Sequence, residues 1–336
     1  MAVVDAAPEA KAKSPRGRKS DKAAVKTHER RAALWLIAPS ILILAVVIGY
    51  PLVAAVIQSF QKDAGLNAAT GLFEQGGFAG FSNYTHWLLQ QCGPVPCPPG
   101  TNGASFWTSI FNTFFFTITT VVLETILGLW MALIMNRAYR GRALVRASVL
   151  VPWAIPTAVT AKLWFFIFAT AGIANVILHA QILWTSQAWP ARIAIIIADV
   201  WKTTPFMALL ILAGLQIIPD EIYEASRVDG ASTVQQFFRI TLPLIKPALM
   251  VAILFRTLDA LRMYDLPAIL TGGGPGNATT TLSILVVNQI RQGFNAAAAL
   301  STLTFLLIFA VAFIFVRFLG ANVVATTEAQ QKGELR

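Results

Sequence analysis

Two acid–base pairs interrupt otherwise apolar stretches of this 336-residue chain. Asp199 and Lys202 lie three residues apart within Arg192–Ile218, and Asp259 and Arg262 repeat that spacing within Pro243–Leu270, which also carries Arg256 and Asp265. Such spacing puts both members of a pair on one helical face. A charge at mid-bilayer costs roughly 2.5–3.5 kcal/mol on insertion scales, so these groups must face a partner or a polar cavity. Carboxylates accept from hydroxyl groups, Lys and Arg donate to them, and Phe206 or Tyr264 could offer a ring face. The competing reading makes them internal salt bridges, Asp199–Lys202 for one, that only hold helices together, and both readings stand. Glu124 and Lys162 read as structural or end-snorkelling groups.

Other chemistry is missing. No G-x-x-x-x-G-K-[ST], H-E-x-x-H or G-x-S-x-G occurs, and His28, His86 and His179 are far apart in sequence, so no catalytic or metal cluster is expected. The stretch TGGGPGN, Thr271–Asn277, lacks the strand–helix context of a dinucleotide site and reads as a turn that needs positive φ. Cys92 and Cys97 are the two cysteines, close together in a Pro-rich loop. Spacing alone leaves open a disulfide or two free thiols, with the disulfide favoured if the loop lies outside the cytoplasm.

These side chains must be carried by membrane spans. The composition is 56% hydrophobic and 12% charged, against about 25% charged in soluble domains. Apolar stretches of spanning length, about 20 residues, occur near Ala33–Phe60, Phe106–Met135, Arg146–Thr170, Arg192–Ile218, Pro243–Leu270 and Ala297–Leu319. The expected fold is therefore an all-α polytopic membrane protein with six spans over 32–320. Residues 1–31 read as a disordered basic tail and 321–336 as a C-terminal tail, both cytoplasmic. Basic residues set that orientation: the first tail runs from Lys11 to Arg31, and Arg137, Arg140, Arg142 and Arg146 follow the second span. The loop 61–105 then lies outside and the loop 219–243 inside. The net charge of +10 is thus topological, and no nucleic-acid partner is expected. The first apolar run is too long for a cleavable signal peptide and reads as an anchor. Pro205 and the prolines of PWAIP are expected to break their helices.

The loop 219–243 is patterned as two short helices. Asp220 can cap the first, Ile222, Ala225 and Val228 share a face, and Gly230 ends it. Ser232 and Gln235 match a capping box opening the second, with Val234, Phe237 and Phe238 on its apolar face and Pro243 as its stop. Too few basic residues, and too little room between two spans, exclude a DNA-reading helix pair. Docking remains, to the chain itself or to another subunit.

Glu224-Ala225-Ser226, three residues, Gly230, nine residues, Ile240, one residue and Leu242-Pro243 together resemble the EAA-x3-G-x9-I-x-LP signature of bacterial ABC importer membrane subunits. Ser226 replaces the second Ala of that pattern. VPWAIPTAVTAKLW, LTGGGPGNATTTLS and FNAAAALSTLTFLL are similar to the carbohydrate-importing branch of the family, so the resemblance covers nearly all but the basic tail. It implies a type I importer permease fold in the bacterial cytoplasmic membrane, with no cofactor on this chain. The implied partners are a second permease, a pair of ATPase subunits holding ATP and Mg, and an extracytoplasmic, lipid-anchored sugar-binding protein. The loop would be the coupling helix: Glu224 meets a basic group of the ATPase, Ala225 and Val228 fill its cleft, Ser226 and Asp229 share that helix, and Gly230 makes the turn. The sugar path between the two permeases would draw on Asp199, Lys202, Asp259, Arg262 and Asp265, with Phe206 or Tyr264. Trehalose is the expected solute, and a maltose-type sugar or a glycerol phosphodiester fits the same polar groups. A stand-alone secondary transporter would show repeated halves, and no three-span repeat is found.

Overall fold

The computed structural model describes residues 35–66 and 72–333. The expected basic tail, 1–31, and residues 334–336 lie outside them. The chain divides into two units, one ending at Ala55 and one starting at Val56. The first unit holds most of α1, Trp35–Gln58. Its apolar side chains are exposed around the helix, Leu42, Val47 and Tyr50 among them, as in a helix whose solvent is lipid. A π-turn at Ala45–Gly49 precedes Pro51.

The second unit is helical, apart from three two-stranded ribbons in the loop 61–105. In chain order its helices are α2 (Ser82–Leu88), α3 (Phe106–Asn136), α4 (Arg142–Val149), α5 (Val151–Ala154), α6 (Thr157–Ile167) and α7 (Ile173–Leu178). Then come α8 (Ala188–Leu215), α9 (Asp220–Val228), α10 (Thr233–Ala260), α11 (Asp265–Leu270), α12 (Leu282–Ile290) and α13 (Phe294–Gly333). With α1, the helices α3, α8, α10 and α13 are each long and apolar enough to cross a bilayer. Arg142–Ala154 and Thr157–Ile167 would make a sixth span, but they meet at 89°. The third span is therefore bent, and the break falls at Ile155-Pro156, as PWAIP suggested. The last helix runs on to Gly333, through residues expected as a tail.

α8 is the central helix, with Ala191, Ala194, Ala198, Met207 and Ile211 fully buried. Without a hydrophobic force between helices in lipid, close approach depends on small residues. A Cβ on Gly128 of α3 would lie 2.9 Å from Met207, and one on Gly214 of α8 would lie 2.5 Å from the Ala248 Cβ of α10. These glycines let α3 and α10 press closely onto the C-terminal half of α8. Packing against neighbouring helices also explains why Pro205, expected to break α8, sits inside an unbroken helix. Pro243, expected to stop the helix of the loop, does not stop it either. A π-turn at Phe237–Thr241 widens the backbone just before it, where the ring would otherwise meet the Arg239 carbonyl, and α10 continues. The fifth span ends earlier than expected, at Ala260, so Arg262 and Tyr264 lie in a break before α11.

The loop 61–105 is tied to the start of α13. Asp63 accepts from the backbone N–H groups of Asn295 (2.7 Å) and Ala296 (3.1 Å), and the Trp87 indole donates to the Ala296 carbonyl. The TGGGPGN turn has positive φ at Gly272, Gly273, Gly274, Gly276 and Asn277, as read from its composition. Asn112 donates to the Asn277 and Thr280 carbonyls, and Arg192 to the Ala278 carbonyl, which pins this turn to α3 and α8.

Candidate functional site

Two sites emerge from the residues singled out above. The first is the loop between α8 and α10. Asp220 is not the cap expected of it: Pro219 is the residue before α9, and Asp220 opens the first turn, where an acid still favours the helix dipole. The other end behaves as read. Gly230 has φ +77, its N–H donates to the Arg227 carbonyl, and the Ala231 N–H donates to the Ser226 carbonyl. Those are the two bonds of a Schellman motif. Ser232 and Gln235 then form the reciprocal capping box of α10.

With its ends closed in this way, α9 presents Glu224, Ala225, Val228 and Asp229 outward. Val228 is 89% exposed. Ser226 points inward, its hydroxyl donating to the Tyr223 carbonyl at 2.9 Å. Tyr223 Oη lies 3.2 Å from Thr241 Oγ1 and links α9 to α10. Between them and the end of α3 runs a groove of ≈550 Å³ that includes Leu133, Tyr223, Val234 and Phe238.

The second site is a cluster of buried charge among α3, α8 and α10. Arg256 is its centre and is 1% exposed. Its guanidinium donates to Glu124 through Nε and Nη2, to Asp199 through Nη2, and to Asp259 through Nη1 at 3.1 Å. Thr203 Oγ1 lies 2.6 Å from Glu124 Oε1. The expected Asp199–Lys202 pair is not made: Asp199 goes to Arg256 on another helix, while Lys202 Nζ donates to the carbonyls of Ile155 (2.7 Å) and Trp153 (3.4 Å). Those carbonyls are freed by the break at Pro156, and a cation at a helix C-terminus also meets the dipole favourably.

Asp199, Lys202, Asp259, Arg262, Tyr264 and Asp265 line one cleft of ≈140 Å³, together with Arg256, Thr203 and Thr157. Phe206 does not join them; it stacks on Trp153, ring centroids 5.7 Å apart. Sequence reasoning left out Arg256 as a site residue and set Glu124 aside as structural. The available signal was Glu124 itself, an acid deep in an apolar stretch, which needs a cation on another helix.

In the loop 61–105, Cys92 and Cys97 form a disulfide. His86 Nδ1 lies 3.9 Å from both sulfurs. Sulfurs joined to each other have no thiolate to give a metal.

The family described as a binding-protein-dependent transport system inner membrane component matches residues 124–324. The trehalose/maltose transport system permease protein MalF of Thermococcus litoralis is 40% identical over 299 residues, covering 87% of this chain and 95% of that protein. The trehalose transport system permease protein SugA of Mycobacterium tuberculosis is 38% identical over 297 residues, covering 87% and 90%. Among solved structures, a bacterial ABC transporter involved in import of the acidic polysaccharide alginate has a chain that aligns with TM-score 0.67 at 22% identity, covering 89% of this chain and 97% of that one. Spans, signature loop and relatives agree: the chain belongs to the family of inner membrane components of binding-protein-dependent transport systems.

Proposed function

We propose that the chain is one permease subunit of an ATP-driven sugar importer, that its solute is a disaccharide, trehalose first, and that α9 is the coupling helix that seats in an ATPase subunit. The exposed face of α9 carries this reading. Glu224, Ala225 and Val228 are held outward on a helix closed by backbone bonds at its end, although nothing in the second unit covers them among the described residues. An uncovered, capped helix with exposed acids and a small apolar face suits a cleft on another protein. Lack of any phosphate-cradling motif then follows, because ATP and Mg would sit on that partner.

The cleft supports a path shared with a second permease. Its ≈140 Å³ is well under the roughly 300 Å³ at which small-molecule sites begin, so a disaccharide needs a second wall. Both termini would be cytoplasmic and the Cys92–Cys97 loop would face outward, toward a lipid-anchored binding protein. Trehalose is preferred over a maltose-type sugar because it is named for both MalF and SugA, each matched over most of its length, whereas maltose is named for MalF alone of the two. A glycerol phosphodiester is the weaker alternative.

Glu224→Ala and Gly230→Pro test the reading. Each should leave the protein in the membrane, abolish trehalose uptake and reduce co-purification of the ATPase subunit. Normal uptake by both variants would defeat it.

A further inference from the structure

Three carboxylates converge on the Arg256 guanidinium, and they are not equivalent. The side chains of Glu124 and Asp199 are buried with it, whereas that of Asp259 is 66% exposed. Asp259 Oδ2 accepts from the remaining Arg256 nitrogen, Nη1, and Oδ1 has no partner among the described residues. Asp259 also lines the cleft.

The other cleft charges differ from it in one of two ways. Asp199 is bonded within the cluster, and Lys202 is bonded to the carbonyls at the helix break. Asp265 is exposed and is not held by any cation among the described residues. Among the described carboxylates of the cleft, Asp259 is the one both held by Arg256 and exposed, since Asp199 is held but buried and Asp265 is exposed but not held. A group held in place beforehand loses less freedom when it takes a ligand.

We infer that Arg256 is a positioning residue of the solute path, and that Asp259, through Oδ1, accepts a hydrogen bond from a hydroxyl of the passing sugar. Glu124 and Asp199 fix the guanidinium from behind. Thr203 in turn braces Glu124. This assignment rests on the sugar-importer reading above and adds two residues, Glu124 and Arg256, to those the path requires.

The test uses the complete importer, with its own partner subunits, in proteoliposomes, measuring trehalose uptake and ATP hydrolysis in the same vesicles. Asp259→Asn should assemble in normal yield with ATP hydrolysis still stimulated by the binding protein. Its trehalose moved per ATP should fall about tenfold or more, the worth of one hydrogen bond to a charged group. Asp259→Glu, which keeps a carboxylate, should recover most of that ratio. Arg256→Lys keeps the charge but not the two-pronged geometry, and its assembled fraction should show the same low ratio as Asp259→Asn. A wild-type ratio in Asp259→Asn would overturn the inference, as would a variant that loses yield alone. Wild-type vesicles that move neither trehalose nor maltose would instead remove the sugar-importer reading, and this inference with it.

Discussion

The loop around α9 and the cluster around Arg256 solve opposite problems. In the loop, the stabilising bonds are local: Gly230 to Arg227, Ala231 to Ser226, Ser232 to Gln235, all within five residues. The outward face is left free. In the cluster, the bonds reach far along the chain, from Arg256 to Glu124 and to Asp199, and almost nothing is left free. On the function proposed above, one region is met by another molecule, while the buried part of the other keeps three helices in register. The difference decides what a mutation does in each. A change in the loop should alter what docks there, whereas a change to the buried members of the cluster, Glu124, Asp199 or Arg256, should alter whether the fold assembles.

The largest effect is expected at Arg256. Arg256→Met keeps an unbranched stem and removes the guanidinium, leaving Glu124 and Asp199 buried and uncompensated, which costs about 3–5 kcal/mol. Yield of monodisperse protein after extraction should collapse. A yield equal to wild type would show that the cluster does not hold the helices together.

The same contrast governs what could be read from the residues alone. Capping and turn chemistry depend on neighbours in sequence, so the Gly230 turn, the Ser232–Gln235 box and the positive-φ run in TGGGPGN were all legible. Pairing across helices depends on depth and rotation, which spacing does not contain. Asp199 and Lys202 share a face, yet each finds a better partner elsewhere, one in a guanidinium from α10 and the other in carbonyls released by the break at Pro156. Pro205 and Pro243, unlike the prolines of PWAIP, depart from expectation for a related reason. Whether Pro205 or Pro243 interrupts a helix depends on packing and on a π-turn, neither of which a propensity describes.

A smaller effect is expected in the loop. Ser232→Ala removes the capping box and should cost about 1 kcal/mol, lowering thermal stability only slightly while uptake falls, because the orientation of α9 against α10 loosens. Ser226→Ala should do least. Its hydroxyl serves only the Tyr223 carbonyl, and the change restores the Ala of the family pattern, so stability should stay within about 0.5 kcal/mol and uptake should be unchanged. Equal losses from both serines would erase the distinction between a cap and a tolerated hydroxyl.

The most direct measurement is cross-linking from α9 in the assembled importer. Val228→Cys adds a reactive thiol at an 89% exposed position of the helix, while Cys92 and Cys97 are already joined. A short thiol-to-amine reagent should link that position to the ATPase subunit, from the cytoplasmic side, in high yield. Links to the second permease or to the binding protein, with none to the ATPase, would contradict the account.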